Sequence, residues 1–248
     1  MHMRTKKWAR PLLAASSCFV DDPAAAAGRW NELFPAEKPL HLELGCGKGV
    51  STALMAHDNP DINYIAMDIS PDVLGCARRN LTAAYGDAPV DNILLTRCDI
   101  EHISLFVKPE DRVSRIYINF CNPWTKRPKH HKRRLTHPRQ LMQYRQLLSQ
   151  DGEIWFKTDD DALFRDSLNY FRVCGFDTVY LTYDLHADGF TPNYVSEHER
   201  KYTAAGVPVK FGIFRKSRNE VSLDPVTWRE WSVDTAADDE NDPEDEEA

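Results

Sequence analysis

Residues 40–57, LHLELGCGKGVSTALMAH, decide the fold that this sequence predicts. Leu40 to Leu44 read as a buried strand, and Gly45 to Gly49 follow as a turn with three glycines. A helix is expected over Val50 to His57. Glycines at such a turn allow positive φ and let the backbone pass close to a ligand. This succession of strand, turn and helix is typical of a parallel α/β sheet.

The same alternation continues along the chain. Further strands are predicted over Ile62–Asp68, Asn92–Cys98, Ile116–Phe120, Glu153–Lys157, Asp177–Leu181 and Val209–Phe214. Helices are predicted over Gly28–Phe34, Pro71–Tyr85 with Ser70 as its cap, His102–Val107, Pro138–Ser149 and Ala162–Val173. A polar connection is expected from Thr182 to Pro208. The pattern predicts an α/β fold with a doubly wound, mostly parallel sheet.

Charge is distributed unevenly over the 248 residues. The tail after Val233 carries nine of the 38 acids and no base, which leaves 29 acids against 31 bases in the rest of the chain. We therefore expect a basic, partly ordered arm over 1–27, one domain over 28–217, and an extension over 218–248 that ends in an acidic, disordered tail. Monomer and homodimer both remain open.

The six cysteines are scattered and form no CxxC pair. This spacing argues against a zinc ribbon or a secreted disulfide framework, and we expect no bound metal. No apolar run approaches the ~20 residues that span a bilayer. A cytoplasmic protein with reduced thiols is expected.

Acidic residues stand at the ends of three successive predicted strands. Glu43 precedes the glycine turn, which resembles the E-x-G-x-G-x-G motif of S-adenosylmethionine-dependent methyltransferases rather than a dinucleotide GxGxxG. An acid there suits an α-ammonium group, while Asp68 suits two ribose hydroxyls and Asp99 an adenine amine. Turn chemistry would explain either aspartate alone, but the three acids together favour S-adenosylmethionine as cofactor. The spacers Cys46 and Lys48 are expected to be incidental.

A second stretch, residues 116–137 (IYINFCNPWTKRPKHHKRRLTH), joins a strand to a cationic loop. The strand is expected to stop at Asn122, because the proline that follows cannot donate to a sheet ladder. Stacking on a base and packing at the strand end are equally compatible with Trp124. Six cations without an acid favour contact with nucleic-acid phosphates over an ordinary solvated surface: Lys126, Arg127, Lys129, Lys132, Arg133 and Arg134.

Four segments, in the same order along the chain, resemble the bacterial tRNA (guanine-N7-)-methyltransferases. They are LELGCGKG at 42–49, INFCNPWTKRPKHHKRRLTH at 118–137, FKTDDDALF at 156–164 and SEHERKYTAAGVPV at 196–209. The second resembles the signature D-P-W-x-K-x-R-H-x-K-R-R. The resemblance implies methyl transfer from S-adenosylmethionine to N7 of guanosine 46 in the tRNA variable loop. It also implies a Rossmann-like class I methyltransferase sheet with an antiparallel last strand.

The resemblance further implies roles for single residues. The cofactor positions are Glu43, Gly45, Gly47, Asp68, Asp99 and Asn122. The substrate positions are Lys126, Asp159, Ser196, Glu197, His198 and Glu199, with serine where the family usually has threonine. From the residues alone, Thr158 or one of the aspartates after it would cap the next helix, and the charges at 197–199 would be solvated.

Asn122 departs from the family, which usually has aspartate there. N7 of guanine has a free lone pair, so transfer needs in-line approach rather than a general base. Asp159, Glu197 and Glu199 are candidates for stabilising the positive charge of the product, and Asp159 and Asn122 are the catalytic candidates. Asn-Pro-Trp is also similar to the Asn-Pro-Pro-aromatic motif of amino-methyltransferases, which leaves N2-guanine or N6-adenine methylation open. A noncatalytic tRNA-binding protein is the third possibility.

Overall fold

The glycine turn begins at the carboxyl end of a central strand in an eight-stranded sheet. The computed structural model describes residues 5–125 and 128–221, so Lys126, Arg127 and the acidic tail lie outside the described residues. The strands are β1 (Phe19–Val20), β2 (Leu40–Leu44), β3 (Asn63–Asp68), β4 (Ile93–Arg97), β5 (Val113–Asn119), β6 (Leu148–Thr158), β7 (Phe176–Thr182) and β8 (Lys210–Lys216).

The strand order across the sheet is β1-β4-β3-β2-β5-β6-β8-β7. The first six strands in this order pair in parallel, whereas β8 runs antiparallel to both β6 and β7. The predicted doubly wound, mostly parallel sheet with an antiparallel last strand is confirmed. All five residues of β2 are buried, because this strand lies inside the sheet with both faces covered.

Eight α-helices are present in the described residues: α1 (Ala9–Ala14), α2 (Pro23–Ala26), α3 (Val50–Asp58), α4 (Pro71–Tyr85), α5 (Pro138–Leu147), α6 (Asp161–Val173), α7 (Leu185–Asp188) and α8 (Glu197–Ala204). Short 3-10 helices cover Trp30–Leu33, Ile100–Leu105, Pro109–Asp111 and Pro128–Arg133. The largest boundary difference from the prediction is in β6, which begins at Leu148 instead of Glu153. Among the described residues, no helix is long and apolar enough to cross a membrane.

The described part of the amino-terminal arm is more regular than expected. It forms α1, β1 and α2, and β1 adds a strand at the edge of the sheet beside β4. Ala9 and Leu13 are buried, and the guanidinium of Arg79 lies 3.4 Å from the centre of the Trp8 ring. The arm therefore packs on α4, which carries Arg79.

The polar connection between β7 and β8, residues 183–209, is called here the connecting segment. It contains α7 and α8, which the sequence analysis did not predict. Alternating side chains of β6 point to opposite faces of the sheet. Phe156 stacks on Phe164 of α6, whereas Trp155 contacts Phe190 of the connecting segment. The connecting segment thus covers one face of the sheet near the carboxyl ends of β5 and β6.

Candidate active site

The glycine turn is bonded to the neighbouring strand β3. Gly45, Gly47 and Gly49 all have positive φ, at 75°, 56° and 63°. The N–H groups of Gly45 and Cys46 donate to the carbonyl of Met67 at 2.9 Å each. A Cβ at Gly47 would meet nothing within 4 Å, so open space borders the turn there. Hydrogen bonds to β3 therefore fix the backbone of the turn, while the space beside Gly47 stays open to a ligand.

Glu43 lies at the base of this turn and is 3 % exposed. Its carboxylate accepts hydrogen bonds from Asn119 Nδ2 at 3.0 Å and from the Thr52 hydroxyl. Burial raises the pKa of Glu43, and the two hydrogen bonds oppose that rise. A cationic group bound nearby would favour the charged carboxylate, as expected for a ligand with an ammonium group.

Asp68 ends β3 and supports the turn from the side. Its Oδ2 accepts from Gly47 N at 3.1 Å and its Oδ1 from Ser70 N at 2.9 Å. Burial raises the pKa of Asp68, and hydrogen bonds from the backbone oppose this. Ser70 occupies the N-cap of α4, but its hydroxyl accepts no capping bond. Asp68 therefore has a structural role in the turn, and each carboxylate oxygen keeps a further lone pair for a ligand.

Asp99 follows β4 and caps the short 3-10 helix Ile100–Leu105. Its Oδ1 accepts from Glu101 N at 3.0 Å, and its Oδ2 lies 3.3 Å from His102 Nδ1. Asp99 therefore makes a hydrogen bond typical of a turn, the alternative to cofactor binding that the sequence leaves open for each aspartate alone. Because β2, β3 and β4 are adjacent and parallel, their carboxyl ends bring Glu43, Asp68 and Asp99 to one edge of the sheet.

A cleft of about 190 Å³ opens at this edge. Three parts of the chain form its walls: the glycine turn with the start of α3, the end of β5, and the start of α8. The lining residues are Glu43, Gly45, Cys46, Gly47, Lys48, Gly49, Val50, Ser51, Asn119, Phe120, Ser196, Glu197 and His198. Some predicted cofactor positions (Glu43, Gly45 and Gly47) and some predicted substrate positions (Ser196, Glu197 and His198) therefore line one cleft, whereas Asp68, Asp99 and Asp159 are outside its lining.

Ser196 and Glu197 fix α8 beside the glycine turn. Ser196 Oγ accepts from Glu199 N at 3.1 Å and caps the helix. Glu197 Oε2 lies 2.6 Å from Lys48 Nζ, and both side chains are about half exposed. The expectation that Lys48 is incidental does not fit this contact, which joins the turn to the connecting segment.

Glu199 is 0 % exposed and does not line the cleft. Its Oε2 accepts from Lys157 Nζ at 3.0 Å, while its Oε1 accepts from Asn193 Nδ2 at 2.8 Å and lies 3.0 Å from His186 Nε2. Lys157 also donates to the carbonyl of Tyr194 at 3.3 Å. A direct contact of Glu199 with substrate does not fit this burial. The carboxylate instead fastens the connecting segment to β6.

Asp159 follows β6 and is partly exposed. One of its carboxylate oxygens lies 3.2 Å from His198 Nε2, and its backbone carbonyl accepts from Lys210 Nζ at 3.0 Å. The helix cap expected in this region is supplied by the next residue, Asp160, whose Oδ1 accepts from Leu163 N at 2.7 Å. The Asp159 carboxylate is therefore not used for capping and stands beside the start of α8.

Asn122 is exposed and does not line the cleft. Its Oδ1 accepts from Trp124 N at 3.0 Å, which closes a local turn after the strand. The Trp124 ring makes an edge contact with His130, and the Arg133 guanidinium lies 5.2 Å from the centre of the same ring. In this structure Trp124 packs within the loop, and Asn122 shapes the turn.

The cationic loop separates into exposed and buried members. Lys129, Lys132 and Arg133 are exposed on the 3-10 helix Pro128–Arg133. Arg134 is 1 % exposed, and its guanidinium lies 2.7 Å from Asp166 Oδ2. The expected contact of Arg134 with a phosphate does not fit this geometry, because its charge is buried and already paired.

Comparison with known proteins agrees with this arrangement. A family model described as a putative methyltransferase matches residues 37–211. A tRNA (guanine-N(7)-)-methyltransferase of Clostridium botulinum (strain Eklund 17B / Type B) is 53% identical over 213 residues, which cover 85% of this chain and 97% of that protein. The enzyme of the same name from Clostridium beijerinckii is 52% identical over 218 residues, covering 87% and 99%.

The chain belongs to the tRNA (guanine-N(7)-)-methyltransferase family. Among solved structures, that of the 16S rRNA methyltransferase KamB superposes with a TM-score of 0.54 at 12% identity, covering 76% of this chain and 92% of that one. At this identity the superposition supports the methyltransferase fold alone.

Sequence reasoning about this methyltransferase missed Asn119, Thr52 and Lys157. The first two bond the Glu43 carboxylate and the third bonds Glu199. Lys157 lies two residues before Asp159, and its partner Glu199 is 42 residues away in the sequence. Asn119 had a usable signal, because it is a polar residue at the end of a buried strand. Such a residue faces the edge where ligands bind in parallel sheets.

Proposed function

We propose that this chain transfers a methyl group from S-adenosylmethionine to N7 of guanosine 46 in tRNA. One observation carries the proposal. Glu43, Asp68 and Asp99, the acids predicted to bind the cofactor at the ends of β2, β3 and β4, lie at the same sheet edge as the Asp159 carboxylate at the end of β6. The exposed cations of the loop after β5 supply a nearby surface for phosphates. Family membership supports the same reading.

The residues of the cleft fit S-adenosylmethionine by their chemistry. Glu43 provides a buried carboxylate at the place suited to an ammonium group, and Gly47 leaves room for close approach. Asp68 and Asp99 do not line the cleft themselves, but at the neighbouring strand ends they offer acceptors for ribose hydroxyls and an adenine amine. The bound cofactor would supply an electrophilic methyl group on a sulfonium. Transfer of that methyl group to N7 would break its bond to sulfur and leave the positive charge on the guanine ring.

The protein therefore has to align two reactants and favour a cationic product. Alignment alone can supply a large part of the rate enhancement. Asp159, the carboxylate beside the start of α8, is proposed to meet the guanine and stabilise its developing charge. Glu197 lies on the cleft wall, where its charge is paired with that of Lys48. We propose that Glu199 and Asn122 act indirectly, by fixing the connecting segment and the turn after β5.

The direct test is transfer of labelled methyl from S-adenosylmethionine to unmodified tRNA, followed by nucleoside analysis. We expect N7-methylguanosine with a tRNA that carries guanosine in the variable loop, and none when adenosine replaces that guanosine. An N2- or N6-methylated nucleoside would instead place the enzyme among the amino-methyltransferases. Binding of tRNA without any transfer would indicate a noncatalytic binding protein.

The cationic loop gives a second prediction with a matched pair of variants. Lys132→Ala should weaken tRNA binding and reduce the slope of log Kd against log salt by roughly one, because an exposed phosphate contact is lost. Arg134→Ala should leave that slope unchanged and instead lower the free energy of unfolding by about 1.5 to 3 kcal/mol, since it removes a buried guanidinium that bonds both Asp166 and the carbonyl of Pro123. Salt titration of tRNA binding and urea denaturation measure the two effects. Equal salt slopes in both variants would contradict the assignment.

A further inference from the structure

The His198 ring contacts residues from three parts of the site. The ring stacks on Tyr202 of α8, with centroids 4.3 Å apart and planes inclined by 18°. The ring of Phe120, the residue after β5, also lies close, with its centroid 4.8 Å away and its plane inclined by 35°. Two aromatic contacts therefore limit the orientations that the imidazole can adopt.

This orientation directs Nε2 toward the end of β6. Nε2 is buried although the side chain as a whole is 40 % exposed, and the Asp159 Oδ1 atom lies 3.2 Å away. Within the described residues, Nε2 makes no hydrogen bond. A buried polar atom without a hydrogen bond is costly, which points to a role in a later state of the site. Hydrogen bonds at active sites often become well aligned only when substrate binds.

We propose that His198 is a positioning residue that donates a hydrogen bond from Nε2 to Asp159 when guanine is bound. The inference rests on the proposed function, because Asp159 is the carboxylate proposed to meet the guanine. The bond holds this carboxylate against the target base, while the contacts with Phe120 and Tyr202 hold the imidazole. Without the donor, Asp159 keeps its charge but loses its fixed direction.

Two substitutions separate the donor from the aromatic stack. His198→Gln keeps an N–H donor near the position of Nε2 but removes the aromatic ring, whereas His198→Phe keeps a ring but has no donor. We expect kcat/KM for tRNA to stay within about threefold in the glutamine variant and to fall about 10- to 100-fold in the phenylalanine variant. The affinity for S-adenosylmethionine should change little in either. A role limited to ring packing predicts the opposite order of activities.

A double-mutant cycle tests whether the effect passes through Asp159. In an Asp159→Ala background, single-turnover rates should show less than about a threefold further loss on adding His198→Phe. His57→Phe serves as the control, since His57 forms an exposed contact with Asp58 at the end of α3, away from the cleft. That variant should methylate tRNA at the wild-type rate.

Three outcomes would overturn the inference. They are a fully active His198→Phe variant, a larger loss in His198→Gln than in His198→Phe, and additive effects of His198→Phe and Asp159→Ala. Both His198 variants could lose activity with unchanged unfolding midpoints. The double-mutant cycle then decides: coupling between His198→Phe and Asp159→Ala supports the role of the Nε2 donor, and additive effects exclude it. Failure of the wild-type protein to form N7-methylguanosine would overturn the proposed function itself and is read from a separate assay.

Discussion

Glu199→Ala is expected to lower the free energy of unfolding by about 3 to 5 kcal/mol, because it leaves a buried lysine without its counter-charge. Lys157 is 8 % exposed, and its ammonium lies 3.0 Å from Glu199 Oε2. The substitution also removes the acceptor for Asn193 Nδ2. Removing one partner of a buried pair costs more than the pair contributes, since the remaining charge stays out of water.

Glu197→Ala is the matched control for this substitution. Glu197 lies two residues earlier, also pairs with a lysine, and is about half exposed. Its loss should change the free energy of unfolding by at most about 1 kcal/mol, as is usual for surface ion pairs. Urea denaturation followed by far-UV circular dichroism compares the two variants. Similar losses in both would show that burial of the Glu199 pair does not decide the stability of this region.

Glu199→Ala should also loosen the connecting segment. Glu199 contacts Lys157 on β6 and both His186 and Asn193 within the segment, so its removal releases three contacts at once. We expect hydrogen exchange to increase in residues 183–209 before it increases in the central strands. Activity with tRNA should fall together with this protection, because the segment carries one wall of the cleft. Unchanged exchange in the segment would contradict its attachment through Glu199.

The central part of the fold was predictable because its signals are local and repeated. β2, the glycine turn and α3 follow one another directly, and each strand from β2 to β5 ends near a polar residue. Chain order and the parallel-sheet rule then suffice to gather those residues at one edge. The amino-terminal arm was not predicted, although Ala9 and Leu13 have helical spacing. Its helices are short, and α1 is stabilised by its contacts with α4.

Burial of individual charges was the part that sequence did not reveal. Arg133 and Arg134 are neighbours in one cationic run, but the first is exposed and the second is paired with Asp166. Glu197 and Glu199 differ in the same way. The aspartate or lysines that pair with Arg134, Glu197 and Glu199 each lie more than 30 residues away in the sequence, so no local pattern shows which charge is buried. One usable local signal was overlooked: Ser196 with a glutamate three residues later is typical of a helix start, and α8 begins there.

Gly49→Ala is expected to destabilise the protein by about 2 to 5 kcal/mol, through left-handed backbone strain and overpacking against α4. Gly49 has φ of 63°, and a Cβ at this position would lie 2.8 Å from the Cβ of Ala77 and 3.3 Å from its Cα. A backbone atom cannot move aside as a flexible side chain can. The start of α3 should therefore shift, and affinity for S-adenosylmethionine should fall with stability.

Gly47→Ala separates the two causes. Gly47 also has positive φ, but a Cβ there would meet no atom within 4 Å, so only the strain of about 1 to 2 kcal/mol applies in the free protein. An Ala77→Gly background removes the closest contact, the one with the Ala77 Cβ, and keeps the contact with its Cα, so Gly49→Ala should cost less there than in the wild-type protein and approach the cost of Gly47→Ala. Thermal and urea unfolding of the four variants measure this cycle. Equal costs for Gly47→Ala and Gly49→Ala in the wild-type background would mean that the contact with α4 does not explain why glycine stands at the start of α3.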